Sequence, residues 1–125
     1  MENEINFFDA REYASNLRCT IQKTGKIGFT DYTQKKLSMN DDMSIRIGID
    51  GIKGEYNNLV IQILNEVQPQ AFKVNKAGNY FYINPKALLD ELGLTYKAKN
   101  IMYEMISLNE DEKTYKLIKK EGKVV

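Results

Sequence analysis

Hydrophobic and polar residues change period several times along this chain, and each change marks an element. Between Ile5 and Arg18, Phe7, Ala10, Ala14 and Leu17 recur at helical spacing while Arg11, Glu12, Ser15 and Asn16 fall on the other side, which predicts a short amphipathic helix. From Cys19 the period becomes two. Ile21 sits between Thr20 and Gln22, and Ile27 and Phe29 follow the turn residues Thr24 and Gly25, the pattern of a hairpin. Asp31 to Leu37 reads as a brief helix. Met43 to Asp50 alternates strictly, with Met43, Ile45, Ile47 and Ile49 on one face and Ser44, Arg46, Gly48 and Asp50 on the other. A polar connection from Gly51 to Asn58 then leads to Leu59 to Leu64, a β-rich run suited to pair antiparallel with it.

The same order of elements then returns. Phe72 to Gly78 runs into the aromatic strand Asn79 to Ile83. Asn84 is placed as an N-cap and Pro85 at the first helical position, Leu88, Leu89 and Leu92 form an apolar stripe, and Gly93 ends the helix. Ile101 to Leu108 and Thr114 to Lys119 are two further strands, joined by the acidic loop Asn109 to Glu112.

Setting Gly25 over Gly78 aligns Lys23 with Lys76, Ile21 with Val74 and Ile27 with Tyr80; a two-residue insertion adds Leu37 over Leu92 and Met39 over Leu94. Counted from these pairs, the period is about 53 to 55 residues. Half a chain of this kind is too small to cover both faces of its sheet, so two copies are expected to interlock into one closed barrel or pseudo-symmetric sheet. The expected fold is therefore mainly β (α+β): a single domain over 1–125, with an N-terminal helix at 1–18 and ββαββ repeats at 19–65 and 71–121, related by a pseudo-twofold axis.

Gly78 before a strand, followed by Pro85 to Leu94 and a further strand pair, resembles the AbrB/SpoVT/MazE-type swapped-hairpin family. The resemblance covers roughly Cys19 to Glu121. In the first half Gly25, Lys26, Ile27, Phe29, Lys35 and Leu37 fall at the family's spacing, but Thr30 stands in place of the proline and Ser38 in place of the second glycine. The second half keeps Pro85 and Gly93, carries Asn79 where a basic residue is expected, and inserts two residues before the proline. The resemblance implies a barrel of interlocked halves, here joined in one chain and so able to close as a monomer. It also implies DNA contact through basic residues of the first hairpin and the short helix, with Lys26 at the position after the turn glycine and Gln34 and Lys35 late in the helix. Lys23 and Lys36 add nearby charge, and Lys73, Lys76 and Lys86 occupy the equivalent region of the second half. All are Lys, so they suit phosphate contact rather than bidentate reading of guanine.

Composition narrows the function. The 125 residues are 42% hydrophobic and 28% charged, enough for one core, and the net charge of +1 leaves any charged partner to a local patch. The total hides an uneven distribution. Residues 1–18 carry four acids against two bases, and residues 71–121 carry nine bases against seven acids. There is no His or Trp, and Cys19 is the only cysteine, which removes His-dependent triads, most metal sites and intrachain disulfides. No apolar run is long enough to span a membrane, and the acidic start, with Glu2, Glu4 and Asp9, is unlike a cationic signal peptide. A cytoplasmic location is expected.

Other chemistry is weighed against simpler roles. Tyr80, Phe81, Tyr82, Tyr96, Tyr103 and Tyr115, interleaved with Lys76, Lys97, Lys99 and Lys116, would suit base stacking, although strands favour aromatics in any case. Tyr80 and Tyr82 share one face and Phe81 and Ile83 the other, so one set must be core. Cys19 has no base beside it. The acidic clusters Asp41-Asp42 and Glu110 to Glu112 lack the alternating spacing of a calcium loop, and Gly25, Gly28, Gly51 and Gly54 lack the Lys-Ser/Thr and helix of a phosphate loop. The expectation is a non-enzymatic, transcription-regulator-like protein with no cofactor or metal, whose lysine hairpins at Lys23, Lys26, Lys35, Lys36, Lys73, Lys76 and Lys86 contact DNA phosphates. The alternative is a protein-interaction module or antitoxin-like scaffold whose partner is another protein.

Overall fold

The computed structural model describes residues 4–8, 16–51 and 59–120. Its elements are β1 (Arg18–Ile21), β2 (Ile27–Phe29), α1 (Asp31–Lys36), β3 (Ser44–Ile49), β4 (Leu59–Leu64), β5 (Phe72–Lys73), β6 (Asn75–Ala77), β7 (Tyr80–Ile83), α2 (Lys86–Glu91), β8 (Ile101–Asn109) and β9 (Thr114–Lys119). The strands form one antiparallel sheet in the order β5-β3-β4-β9-β8-β1-β2-β7-β6. Its two end strands, β5 and β6, are separated in the chain only by Val74, whose N–H donates to the Met43 carbonyl at 3.0 Å. The sheet thus curls into a nearly closed barrel, which leaves little open edge to recruit other strands.

Period-two patterning produces the interior. Cys19 and Ile21, Ile27 and Phe29, Ile45, Leu59, Ile61 and Ile63, Val74, Ile83, Tyr103 and Met105, and Tyr115 and Leu117 are all buried. The shared register turns these residues to one side: Ile21 pairs with Ile27 and with Ile101, and Ile61 with Tyr115. Leu89, Leu92, Leu94 and Tyr96 complete the core from the region of α2.

The helices are held locally. Thr30 caps α1, its hydroxyl accepting from Thr33 N–H at 3.3 Å, while Thr33 Oγ1 accepts from Arg18 N–H at 2.8 Å. Ser38, φ 51°, follows the end of α1, and Gly93, φ 75°, follows the end of α2. Among the described residues, no helix is long and apolar enough to cross a membrane.

Several expectations need correction. Glu4 to Phe8 are not helical and are exposed, and 9–15 lie outside the described residues, as does most of the polar connection at 52–58. Pro85, not Asn84, occupies the N-cap of α2, and no side chain caps that end. Ser44, read as outward-facing, is fully buried and donates its hydroxyl to the Glu66 carbonyl at 2.6 Å. Ile27 and Tyr80 are aligned in the sequence, but Ile27 is core whereas Tyr80 is half-buried on the outside; Ile83 is the inward residue opposite Ile27.

Candidate nucleic-acid interface

The β2–β7 pair organises the lysines. Ile27 pairs with Ile83 and Gly28 with Tyr82, which puts the Thr24-Gly25 turn beside the start of α2, and the Gly78 turn beside the start of α1. At the first of these ends a Cβ on Gly25 would meet Lys86 Cγ at 2.7 Å, so the backbone of the turn touches the first residue of the helix. Lys86, distant in sequence, therefore joins Lys23 and Lys26 round one turn. Lys26 is half-buried and places its ammonium 4.6 Å from the centroid of Tyr82, a cation–π contact. Lys86 is exposed and paired with Asp90 at 2.7 Å, and Asp90 also accepts the Tyr96 hydroxyl. The hydrogen bond from Lys86, seconded by Tyr96, holds the Asp90 carboxyl below its ordinary range, and the same bond raises the Lys86 ammonium.

At the other end, Lys76 lies 5.9 Å from the centroid of Phe81. Gln34 on α1 accepts from Phe81 N–H at 2.6 Å, tying the helix that carries Lys35 and Lys36 to the same strand. Lys35 pairs with Asp31 at 3.2 Å in an exposed bridge, and Lys36 is also exposed. Lys26 and Lys76 thus reach adjacent residues of β7 from opposite faces, since Lys76 is the cross-strand partner of Phe81 and neighbouring strand residues point to opposite sides. Lys73 belongs to neither group: its ammonium donates to the Asp41 and Val74 carbonyls at 3.0 and 3.2 Å, against the loop before β3.

Between the groups lies an outward surface of side chains that alternate with the core. Tyr80 and Tyr82 stack at 6.0 Å with their planes 20° apart. Tyr80 lies across Gly28 and hydrogen-bonds the Gln22 side chain. Burial raises the Tyr80 hydroxyl above its ordinary pKa, partly opposed by the Gln22 bond. A groove of about 430 Å³ opens here, lined by residues including Thr20, Gln22, Lys23, Gly28, Tyr80 and Asn100.

Comparison with protein-family models, curated proteins and solved structures finds no match to this chain.

Some candidates are displaced by burial. Tyr96, Tyr103 and Tyr115 are core residues and present no face to a ligand; of the strand tyrosines considered, Tyr80 and Tyr82 line the outside. Gln34, at a position where the resemblance implies a basic contact, is buried and structural. Cys19 is buried, and desolvation pushes its thiol up to about 12, the opposite of an activated nucleophile. Asp41, Asp42 and Glu110 to Glu112 are exposed loop residues. Gln22 and Asn100 are not among the candidates drawn from the sequence, and Gly28 enters there only among the glycines that lack a phosphate loop's context. Gly28 carried a signal, since an isolated glycine within a strand marks a close approach by another group; Gln22 and Asn100 carried none.

Proposed function

We propose that this chain is a non-catalytic nucleic-acid-binding protein of the transcription-regulator type, built from two ββαββ repeats about a pseudo-twofold axis. The observation that carries the reading is the meeting of Lys23, Lys26 and Lys86 at the Gly25 turn, with a second lysine group about the β7–α1 junction. Lysines gathered at one turn suit phosphate-backbone contacts, which supply sequence-independent affinity.

The repeat is supported by the strand order. Exchanging β1 with β5–β6, β2 with β7, β3 with β8 and β4 with β9 returns the same cyclic order. Strands of the two halves also alternate in pairs around the barrel, β1 against β8 and β4 against β9, as an AbrB-like swapped hairpin requires. The halves would then play the part of two subunits, and a monomer follows from their closure within one chain.

The test is duplex DNA binding by fluorescence anisotropy across salt concentrations. The wild type is expected to bind at low salt, with affinity falling linearly on logarithmic axes. Changing Lys23, Lys26, Lys35 and Lys76 to Glu is expected to weaken binding about tenfold or more and to flatten the salt slope by roughly one unit per contact removed. Binding that survives all four changes would sink the reading.

A second reading, a protein-interaction module or antitoxin-like scaffold, is favoured by one feature. Met102, Ile106 and Leu108 on β8 and Ile118 on β9 are exposed large apolar residues on adjacent strands. This reading expects no affinity for DNA at low salt and a protein complex that Ile106→Glu disrupts.

A further inference from the structure

We propose that the groove beside Tyr80 holds one unpaired nucleobase, so that the preferred ligand is single-stranded nucleic acid rather than an intact duplex. The inference rests on the nucleic-acid reading above and names the ligand of the same surface.

The walls of the groove select for a flat, hydrogen-bonding guest. Tyr80 is one wall; Tyr82 stacks against it at 6.0 Å and does not itself line the groove, so it braces the ring from the far side. The hydroxyl of Tyr80 is tied to Gln22, which holds the ring in place before any ligand arrives. Gly28 has no side chain, and Tyr80 occupies the space a Cβ would take. A ring held on two sides is a ready stacking platform.

The rest of the lining is polar. Asn100 Oδ1 accepts from the Lys23 backbone N–H at 3.1 Å, which leaves the amide N–H groups of Asn100 to donate. Gln22 has amide capacity beyond its bond to Tyr80, and Thr20 adds a hydroxyl. Donors and acceptors beside an aromatic face match the edge and face of a nucleobase and suit an aliphatic guest poorly. Lys23 borders the same groove, and Lys26 stands over Tyr82 next to it. These cations lie where the phosphates flanking a stacked base would run. A base paired within a duplex cannot reach the Tyr80 ring, whereas an unpaired one reaches it without unstacking a helix.

The experiment compares a short oligothymidylate with a duplex of similar length, by anisotropy at about 50 and about 200 mM salt. Wild type is expected to bind the single strand more tightly. Tyr80→Leu is expected to lower single-strand affinity about five- to hundredfold while leaving duplex affinity within about twofold, and Tyr80→Phe to retain most of it. Asn100→Ala, on an exposed loop, tests the groove without touching the sheet and is expected to weaken the single strand several-fold. Because the chain has no Trp, its emission comes from eight tyrosines, and quenching by the single strand should be smaller in Tyr80→Leu than in the wild type.

Equal loss of both ligands in a folded Tyr80→Leu, or unchanged single-strand binding in both Tyr80→Leu and Asn100→Ala, overturns the groove assignment while phosphate binding stands. If neither oligonucleotide binds the wild type at low salt, the nucleic-acid reading itself fails.

Discussion

At the scale of single residues, two turn glycines look alike in sequence and differ in structure. Gly25 and Gly78 both have positive φ, 87° and 62°, where a side chain is strained. A Cβ at Gly78 meets nothing within 4 Å, but at Gly25 it meets Lys86 Cγ and Cβ and also backbone, with Lys86 Cα at 3.2 Å. Gly78→Ala is therefore expected to cost the left-handed penalty alone, about 1 to 2 kcal/mol. Gly25→Ala should cost more, because α2 must also shift away from the turn. Urea midpoints at constant slope check the ranking. Equal costs would mean that Lys86 does not pack on the turn. The Gly78 turn was legible from its residue type, whereas the contact at Gly25 depends on a helix far along the chain.

At the scale of elements, α1 and α2 share a length and a buried anchor but end differently. Ser38 takes a left-handed conformation that Gly93 takes without strain. Ser38→Gly is expected to stabilise the protein by up to about 1 kcal/mol, the relief of strain being partly offset by the greater freedom of glycine in the unfolded chain. Gln34→Ala acts in the opposite direction. It leaves the Phe81 N–H without its acceptor and loosens α1 from β7, an expected loss of about 1 to 3 kcal/mol. Thermal melts of the two variants, moving in opposite directions, check both statements. The helix at Asp31 was readable from local pattern. That Gln34 turns inward was not, because a glutamine in a short polar helix is ordinarily solvated and only the unpaired N–H on β7 draws it in.

At the scale of the molecule, closure depends on both halves. The β1–β8, β2–β7, β3–β5 and β4–β9 pairs each join a strand from before residue 65 to one from after residue 71. Neither half alone has partners for its outer strands. A protease site placed in the exposed connection at 65–70 is expected to yield a nicked protein that elutes at the mass of the intact chain and melts in one transition. The segment before that connection, expressed alone, is expected not to give a folded monomer. Two separately folded halves after cleavage would refute interlocking.

What the sequence by itself determined was local. Alternation put Met43, Ile45, Ile47 and Ile49 on one face, the turn glycines punctuated the hairpins, and a repeated order of elements pointed to a barrel-like sheet. These follow from a two-residue period and from backbone sterics, which need no knowledge of distant partners. Beyond the hairpin pairs β1–β2 and β3–β4, only the tertiary structure decided which strands meet. That choice buried Ser44, Gln34, Tyr96, Tyr103 and Tyr115, set Ile83 rather than Tyr80 opposite Ile27, and left Tyr80 outside over Gly28. It also brought Lys86 to Gly25 and Asn100 to Lys23, and so made a groove from residues whose spacing in the chain has no period. The reason is physical: a strand's own pattern specifies two faces, but the neighbour on each edge is chosen by closure of the whole sheet.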